Sequence, residues 1–321
     1  MRNYQSNLAP YIKNFVAQKQ SNGFIYESEA LTLMSFDKLC LEKNIEVKTL
    51  PRDLVMEWAI QKPKEGKNSR NSRVSCVRQL ALYMLSLGLD VYVPHQNPST
   101  SVSVPYILSF QELNNLYNVI DSYVSPELHL YRFSLVYPVL FRLFYCCGLR
   151  LAEGCHLKRS SVDFDQGYIR VYESKGHKDR IVQMACDVCL LCRNYDNKMQ
   201  LIIPDREWFF PGLDSTKHIN KCSVDGKFDY FWKQTQFAST VDKKPTIHCL
   251  RHTFVINKMN QWMEEERPLQ VMLPYLSRYL GHISIANTWY YYHVVAGAFD
   301  IVSKHNLALT DIIPEVIPYE N

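Results

Sequence analysis

Residues 94–105, PHQNPSTSVSVP, constrain the fold more than any other stretch of this chain. Pro94, Pro98 and Pro105 each remove a backbone donor and disfavour helix in the residue before them. Ser99, Ser101 and Ser103 add polarity without any apolar period, so neither helix nor strand runs through. The segment therefore reads as an interdomain linker. It divides the 321 residues into a first domain over 1–94, a linker over 95–105 and a second domain over 106–321.

The first domain reads as a bundle of about four helices. ALTLMSFDKLCLEKN spaces Leu31, Met34 and Leu39 at helical intervals, and PRDLVMEWAIQK places Pro51 for a first helical turn. SRVSCVRQLALYMLSLG carries Val74, Val77, Leu80, Leu82, Met84 and Leu85 and ends on Gly88, which suits a helix C-terminus. In the second domain Ser109 and Glu112 form a capping-box pattern at a helix start. YPVLFRLFYCCGLRLAEGCHL is an apolar helix, a glycine break and a new helix. SSVDFDQGYIRVYESKGHKDRIVQM alternates, turns at Lys175-Gly176-His177 and resumes, the pattern of a short antiparallel sheet. From ACDVCLLCRNY onward the pattern is helical again. The expected class is mainly α with a small antiparallel β-sheet in an α+β second domain.

Composition narrows the function. The hydrophobic fraction of 47% allows an ordinary globular core, no run of eighteen apolar residues occurs, and MRNYQSNLAPYIKNF has no secretory pattern. The expected location is the bacterial cytoplasm, and the ten cysteines are then expected as reduced thiols. The net charge is only +4, but the excess is uneven: residues 1–100 hold 13 Lys and Arg against 9 Asp and Glu, and the remainder balances. It gathers in KPKEGKNSRNSRVSCVR, where Lys62, Lys64, Lys67, Arg70, Arg73 and Arg78 face only Glu65. Such a stretch can neutralise DNA phosphates, or simply form a solvated face.

Four separated pieces carry reactive side chains. GLRLAEGCHL sets Arg150 after a glycine break with Glu153 three residues on. ESKGHKDR presents Lys175 at a strand end. HCLRH spaces His248 and Arg251 so that a helix aims both at one point. LGHISIANTWYYYH places His282 nine residues before Tyr291. Together, in this order, they resemble the tyrosine recombinase (phage-type integrase) family, with a Xer-like two-domain layout.

The resemblance implies an enzyme that cuts and rejoins double-stranded DNA through a 3′-phosphotyrosyl link and a Holliday junction, acting as a tetramer on DNA. Attack on a phosphodiester builds negative charge on its non-bridging oxygens, which the fixed forks of Arg150 and Arg251 would stabilise. Tyr291 would be the nucleophile. Lys175 would protonate the leaving 5′-oxygen, His248 would move protons or hold the nucleophile, and His282 would bind the phosphate. Glu153 would support Arg150. No metal and no ATP is expected, because side-chain cations and the phosphotyrosyl bond replace them. Sequence departures lean towards an integrase or transposase of a mobile element over a resolvase. Rival readings are a type IB topoisomerase, which shares the chemistry, and a non-catalytic DNA-binding regulator.

Other residues keep alternatives. Tyr290 and Tyr292 flank Tyr291, and Lys178 rivals Lys175. His248 and His252 stand four apart, but HCLRH lacks the glutamate of a zinc-protease motif, so His252 reads as a packed or supporting residue. Cys186, Cys189 and Cys192 at intervals of three read as one helix face more than as a metal site. VVAGAFDIVSKHNLAL and TDIIPEVIP, within 294–321, read as an amphipathic helix and an exposed apolar tail; the family resemblance implies that this segment docks on a neighbouring protomer, the alternative being that it folds back on its own domain.

Overall fold

A computed structural model describes residues 3–44, 49–95, 105–127, 130–174, 178–241, 243–282 and 284–292. The chain divides into two compact units, Met1–Ser103 and Val104–Asn321. Most of the expected linker, the Lys175 turn and the tail over 294–321 lie outside the described residues.

The first unit contains α1 (Ala9–Ser21), α2 (Glu27–Glu42), α3 (Arg52–Ala59) and α4 (Lys67–Ser86). Its core joins Leu8, Ile12, Phe15, Leu33, Phe36, Val55, Trp58, Val77, Leu80 and Met84. On α2 the inward stripe is Ala30, Leu33, Phe36 and Cys40, and the expected Leu31 is 50% exposed. The stripe that buries Phe36 removes more apolar area from water than the one through Leu31. On α4 Val77, Leu80, Ala81 and Met84 turn inward, while Leu82 and Leu85 remain exposed. Two very short strands, β1 (Thr49–Leu50) and β2 (Asp90–Val91), pair in parallel. Helical periodicity in their neighbours gave no sign of them. Pro51 caps α3 with extended backbone, and Gly88 follows α4 with a positive φ, as its position at the helix end predicts.

The second unit starts with α5 (Phe110–Asp121), where the Ser109–Glu112 capping box forms as expected. The apolar α6 (Phe133–Cys146) is its central helix, burying Val136, Leu140, Phe141, Leu143 and Phe144. Then follow α7 (Leu151–Cys155), a 3-10 turn, and the sheet β3 (Val162–Asp163), β4 (Tyr168–Ser174) and β5 (Lys178–Gln183), antiparallel in that order. α8 (Cys186–Ile202) and α9 (Lys221–Lys233) complete the larger core. A satellite core of Val255, Ile256, Met259, Leu273, Leu276, Leu280 and Tyr291 joins α10 (His248–Glu264), α11 (Leu269–Leu280) and α12 (Ala286–Tyr292). Mainly helical structure with one small antiparallel sheet is the class expected from the sequence. Among the described residues no helix is long and apolar enough to cross a membrane.

Candidate active site

Arg251, on the first turn of α10, is 2% exposed, which for a cation demands compensation. Its fork donates to the carbonyls of Gly148 and Leu280, the latter at 2.8 Å. These carbonyls lie just past the end of α6 and at the end of α11, where helix dipoles present their negative poles. Burial, then the facing Arg150, lowers the Arg251 pKa to about 10, which leaves it charged at neutral pH.

Arg150 is the residue before α7, and its extended backbone lets the side chain fold back over the helix start. Its guanidinium donates to Glu153 Oε1 at 2.7 Å and to the carbonyl of Gly281 at 2.6 Å. Its backbone N–H donates to Glu153 Oε2 at 2.7 Å. Glu153 also receives both ends of the Arg180 fork, at 2.8 Å each. Arg180, on β5, has a side chain 6% exposed and donates to the carbonyl of Tyr279 at 2.8 Å. The sequence reading missed Arg180, because only the register of the sheet brings it to Glu153.

Two glycines make these approaches possible. Gly148 has φ +59° and Gly281 has φ +64°, conformations that glycine adopts freely. A Cβ on Gly148 would lie 2.8 Å from the Phe254 ring, and one on Gly281 would lie 2.9 Å from the Arg180 guanidinium. The left-handed turn at Gly281 ends α11 and delivers His282 to the site.

His282 sits with Nε2 3.1 Å from the Arg251 guanidinium and Nδ1 2.7 Å from Thr288 Oγ1. Arginine only donates, so Nε2 accepts and Nδ1 carries the proton. Burial, then Arg251 and Arg150, pushes this imidazole down to about 3. The His282 ring lies parallel to the Tyr291 ring at 6.5 Å. Tyr291 is 4% exposed, and burial raises its phenol to about 12 against the pull of Arg251. Its hydroxyl lies 2.7 Å from Nδ1 of His252. His248 packs edge-on against His252, with ring centroids 4.5 Å apart. Loss of solvent around its ring, then Arg251 and Arg150, pushes His248 down.

Arg150, Glu153, His248, Arg251, His282 and Tyr291 thus come together from four separated places: the start of α7, the first turn of α10, the end of α11 and α12. Tyr290 is half-buried and packs on Tyr291, with centroids 5.5 Å apart. His252 is a direct partner of the phenol, where the sequence suggested only a packed or supporting role. Its place one residue after Arg251 and four after His248 was the available signal.

Of the basic residues in the first unit, Lys62, Lys64 and Lys67 are exposed. Arg73 is occupied within the protein: it pairs with Glu65 at 2.8 Å, donates to the carbonyls of Trp58 and Ile60, and stacks 4.7 Å from the Trp58 ring. Arg70 donates to the carbonyl of Ala59 at 2.6 Å, and Arg78 to that of Pro94. On α8, Cys186 is exposed, Cys189 half-buried and Cys192 buried. Among the described residues no group of three or more His, Cys, Asp and Glu is placed to hold a metal ion.

Residues 107–297 match the model of the phage integrase family. A Sinorhizobium fredii chain named as an integrase/recombinase, y4rE, is 27% identical over 92% of this chain and 94% of its own. The tyrosine recombinase XerC of Chlamydia caviae is 23% identical over 92% of this chain and 88% of its own. Among solved structures, the Tn1549 transposon integrase in complex with transposon right-end DNA has a similar fold, with TM-score 0.61 at 16% identity over 94% of this chain and 99% of the other. The XerH recombinase bound to its difH substrate gives TM-score 0.59 at 17% identity, covering 83% and 74%.

Proposed function

The chain belongs to the phage integrase family of tyrosine recombinases, enzymes that cut and rejoin DNA, and from that premise we propose which residues carry the reaction. Arg150 and Arg251 clamp the scissile phosphate and stabilise the charge that builds on its non-bridging oxygens. Tyr291 attacks phosphorus and forms a 3′-phosphotyrosyl link. Lys175 protonates the departing 5′-oxygen. His282 hydrogen-bonds the phosphate beside Arg251, and His248 moves protons at the rim of the site. Glu153 holds Arg150 in place. A 5′-hydroxyl from a partner strand then reverses the attack, and two such exchanges pass through a Holliday junction.

The observation that carries this reading is the convergence of two guanidiniums on one phenol. Arg251 lies 3.1 Å from His282, whose ring is parallel to that of Tyr291 at 6.5 Å, and Arg150 is held on the neighbouring Gly281 carbonyl; both cations pull the Tyr291 pKa down against its burial. A buried phenol facing two arginines is poised for an anion to enter between them.

Substrate binding extends this proposal. Lys62, Lys64 and Lys67 contact backbone phosphates, and a tetramer assembles on DNA through exchange of the segment 294–321 between protomers. The related transposon integrase favours a mobile-element role. The work is done in the cytoplasm, on the nucleoid, because the DNA is there. The nucleophile is tested by trapping covalent adducts on nicked duplexes. Tyr291→Phe is expected to give none, while Tyr290→Phe still gives them. Adducts from Tyr291→Phe, lost instead in Tyr290→Phe or Tyr292→Phe, would move the assignment.

A further inference from the structure

His252 is the imidazole that touches the attacking atom. Its Nδ1 lies 2.7 Å from the Tyr291 hydroxyl, with the two rings 5.4 Å apart at 46°. We propose that His252 is the base that takes the phenolic proton of Tyr291 as the oxygen attacks phosphorus. This rests on Tyr291 being the nucleophile.

The other imidazoles are placed for different work. His282 has Nε2 facing Arg251 and Nδ1–H facing Thr288, so in this arrangement neither nitrogen receives the phenolic proton. His248 presents its ring to the ring of His252. His252 is the fifth residue of α10, one turn on from His248 and against Tyr291 of the satellite core, so the helix fixes its direction towards α12.

The surroundings keep His252 unprotonated before DNA binds. Burial, then the neighbouring His248, Arg251, His282 and Lys243, holds the imidazole down at about 3. It is therefore neutral across the physiological range. A phosphate between Arg150 and Arg251 offsets those cations and raises the affinity of His252 for a proton as attack proceeds. The step balances as follows. The Tyr291 oxygen–phosphorus bond forms, the bond from phosphorus to the 5′-oxygen breaks, and the phenolic proton passes to Nδ1 of His252. The 5′-oxygen takes its proton from an ammonium, Lys175 in the reading above. Rejoining returns both protons.

The test uses the full chain and a pool of nicked duplexes of randomised sequence carrying bridging 5′-phosphorothiolates. A sulfur leaving group needs no proton, so adduct formation reports the attack alone. His252→Asn keeps a hydrogen-bonding group near the Nδ1 position but accepts no proton. It is expected to form adducts roughly 10²–10⁴-fold more slowly than wild type. Its rate should climb about tenfold per pH unit above neutrality, as the phenol must ionise unaided, while the wild-type rate stays flat. His252→Asn within about threefold of wild type, with the wild-type profile, would reduce His252 to an orienting role and overturn the proposal. Adducts from Tyr291→Phe at the wild-type rate would instead sink the nucleophile on which it rests. Nitrogen-15 NMR of the wild-type chain supplies a reading independent of DNA and of the fold of His252→Asn. Nδ1 of His252 should resonate as an unprotonated acceptor and move on Tyr291→Phe. A protonated Nδ1 at neutral pH overturns the proposal.

Discussion

Glu153 accepts from two guanidiniums at once, and its carboxylate is nearly as hidden as that of any core residue, at 6% exposure. Such a group is stable only while both arginines stay. Arg180→Ala leaves half of that arrangement and frees Arg150 to swing. Unfolding in urea should show a loss of about 3 kcal/mol or more, and adduct formation should fall with it. Arg180→Lys should recover charge but not the two-pronged contact, and so sit between. An Arg180→Ala chain that unfolds at the wild-type urea concentration would mean the pair contributes nothing. This residue marks where sequence reading stops. Arg150, Glu153, His248, Arg251, His282 and Tyr291 stood out because the short motifs that carry them, taken in order, resemble those of tyrosine recombinases. Arg180 meets its partner across 27 positions, and the strand register that joins them is not written in either segment. His252 was visible, but its contact depends on where α12 puts a phenol 39 positions later.

Elements explain why the motifs contain glycine. The carbonyl of Gly148 receives Arg251 and that of Gly281 receives Arg150, so each glycine ends or follows a helix and also holds a cation. Gly281→Ala forces a side chain into left-handed backbone, about 1–2 kcal/mol by itself. It also drives a Cβ to 2.9 Å from an Arg180 fork that its contacts to Glu153 hold still. Gly23→Ala serves as the control, because φ there is +86° but an added Cβ would meet nothing within 4 Å. Calorimetry should show both variants losing the backbone share, and Gly281→Ala alone losing adduct formation. Equal adduct yields from the two would separate Gly281 from the site. In the first unit the basic run divides by burial. Lys62, Lys64 and Lys67→Gln together should lower the salt dependence of DNA binding by about three charges with little change in stability. Arg73→Gln should destabilise the unit by freeing Glu65 and Trp58. A salt slope that moves with Arg73 and not with the lysines would reverse that division. Helix existence, the capping box and the sheet were legible because period and turn chemistry are local. The inward face of α2 was not, since the choice between Leu31 and Leu33 is made by the helices around it.

At the scale of the whole molecule, the tetramer proposed above poses the question of how catalysis by one chain becomes exchange between several. Each phosphotyrosyl link conserves the energy of the bond it replaces, so nothing in the chemistry prevents a lone protomer from cutting and resealing the same strand. Coupling must come from contacts that form only when protomers meet. The segment 294–321 is the candidate on sequence grounds. It follows closely on α12 in the sequence, and the apolar residues in DIIPEVIP would gain from burial against a neighbour. Because Tyr291 lies near the end of α12, packing of that segment against a neighbour would reach the proposed nucleophile through a few residues of chain. Truncation after residue 296 keeps Tyr291 and the satellite core but removes the segment. The truncated chain should bind a single site within about threefold of the full chain, a difference of under 1 kcal/mol, while losing paired-site complexes in gel-shift and light-scattering measurements. A matching fall in single-site binding would place the segment in its own protomer's fold. Unchanged pairing would make some other surface responsible for the assembly.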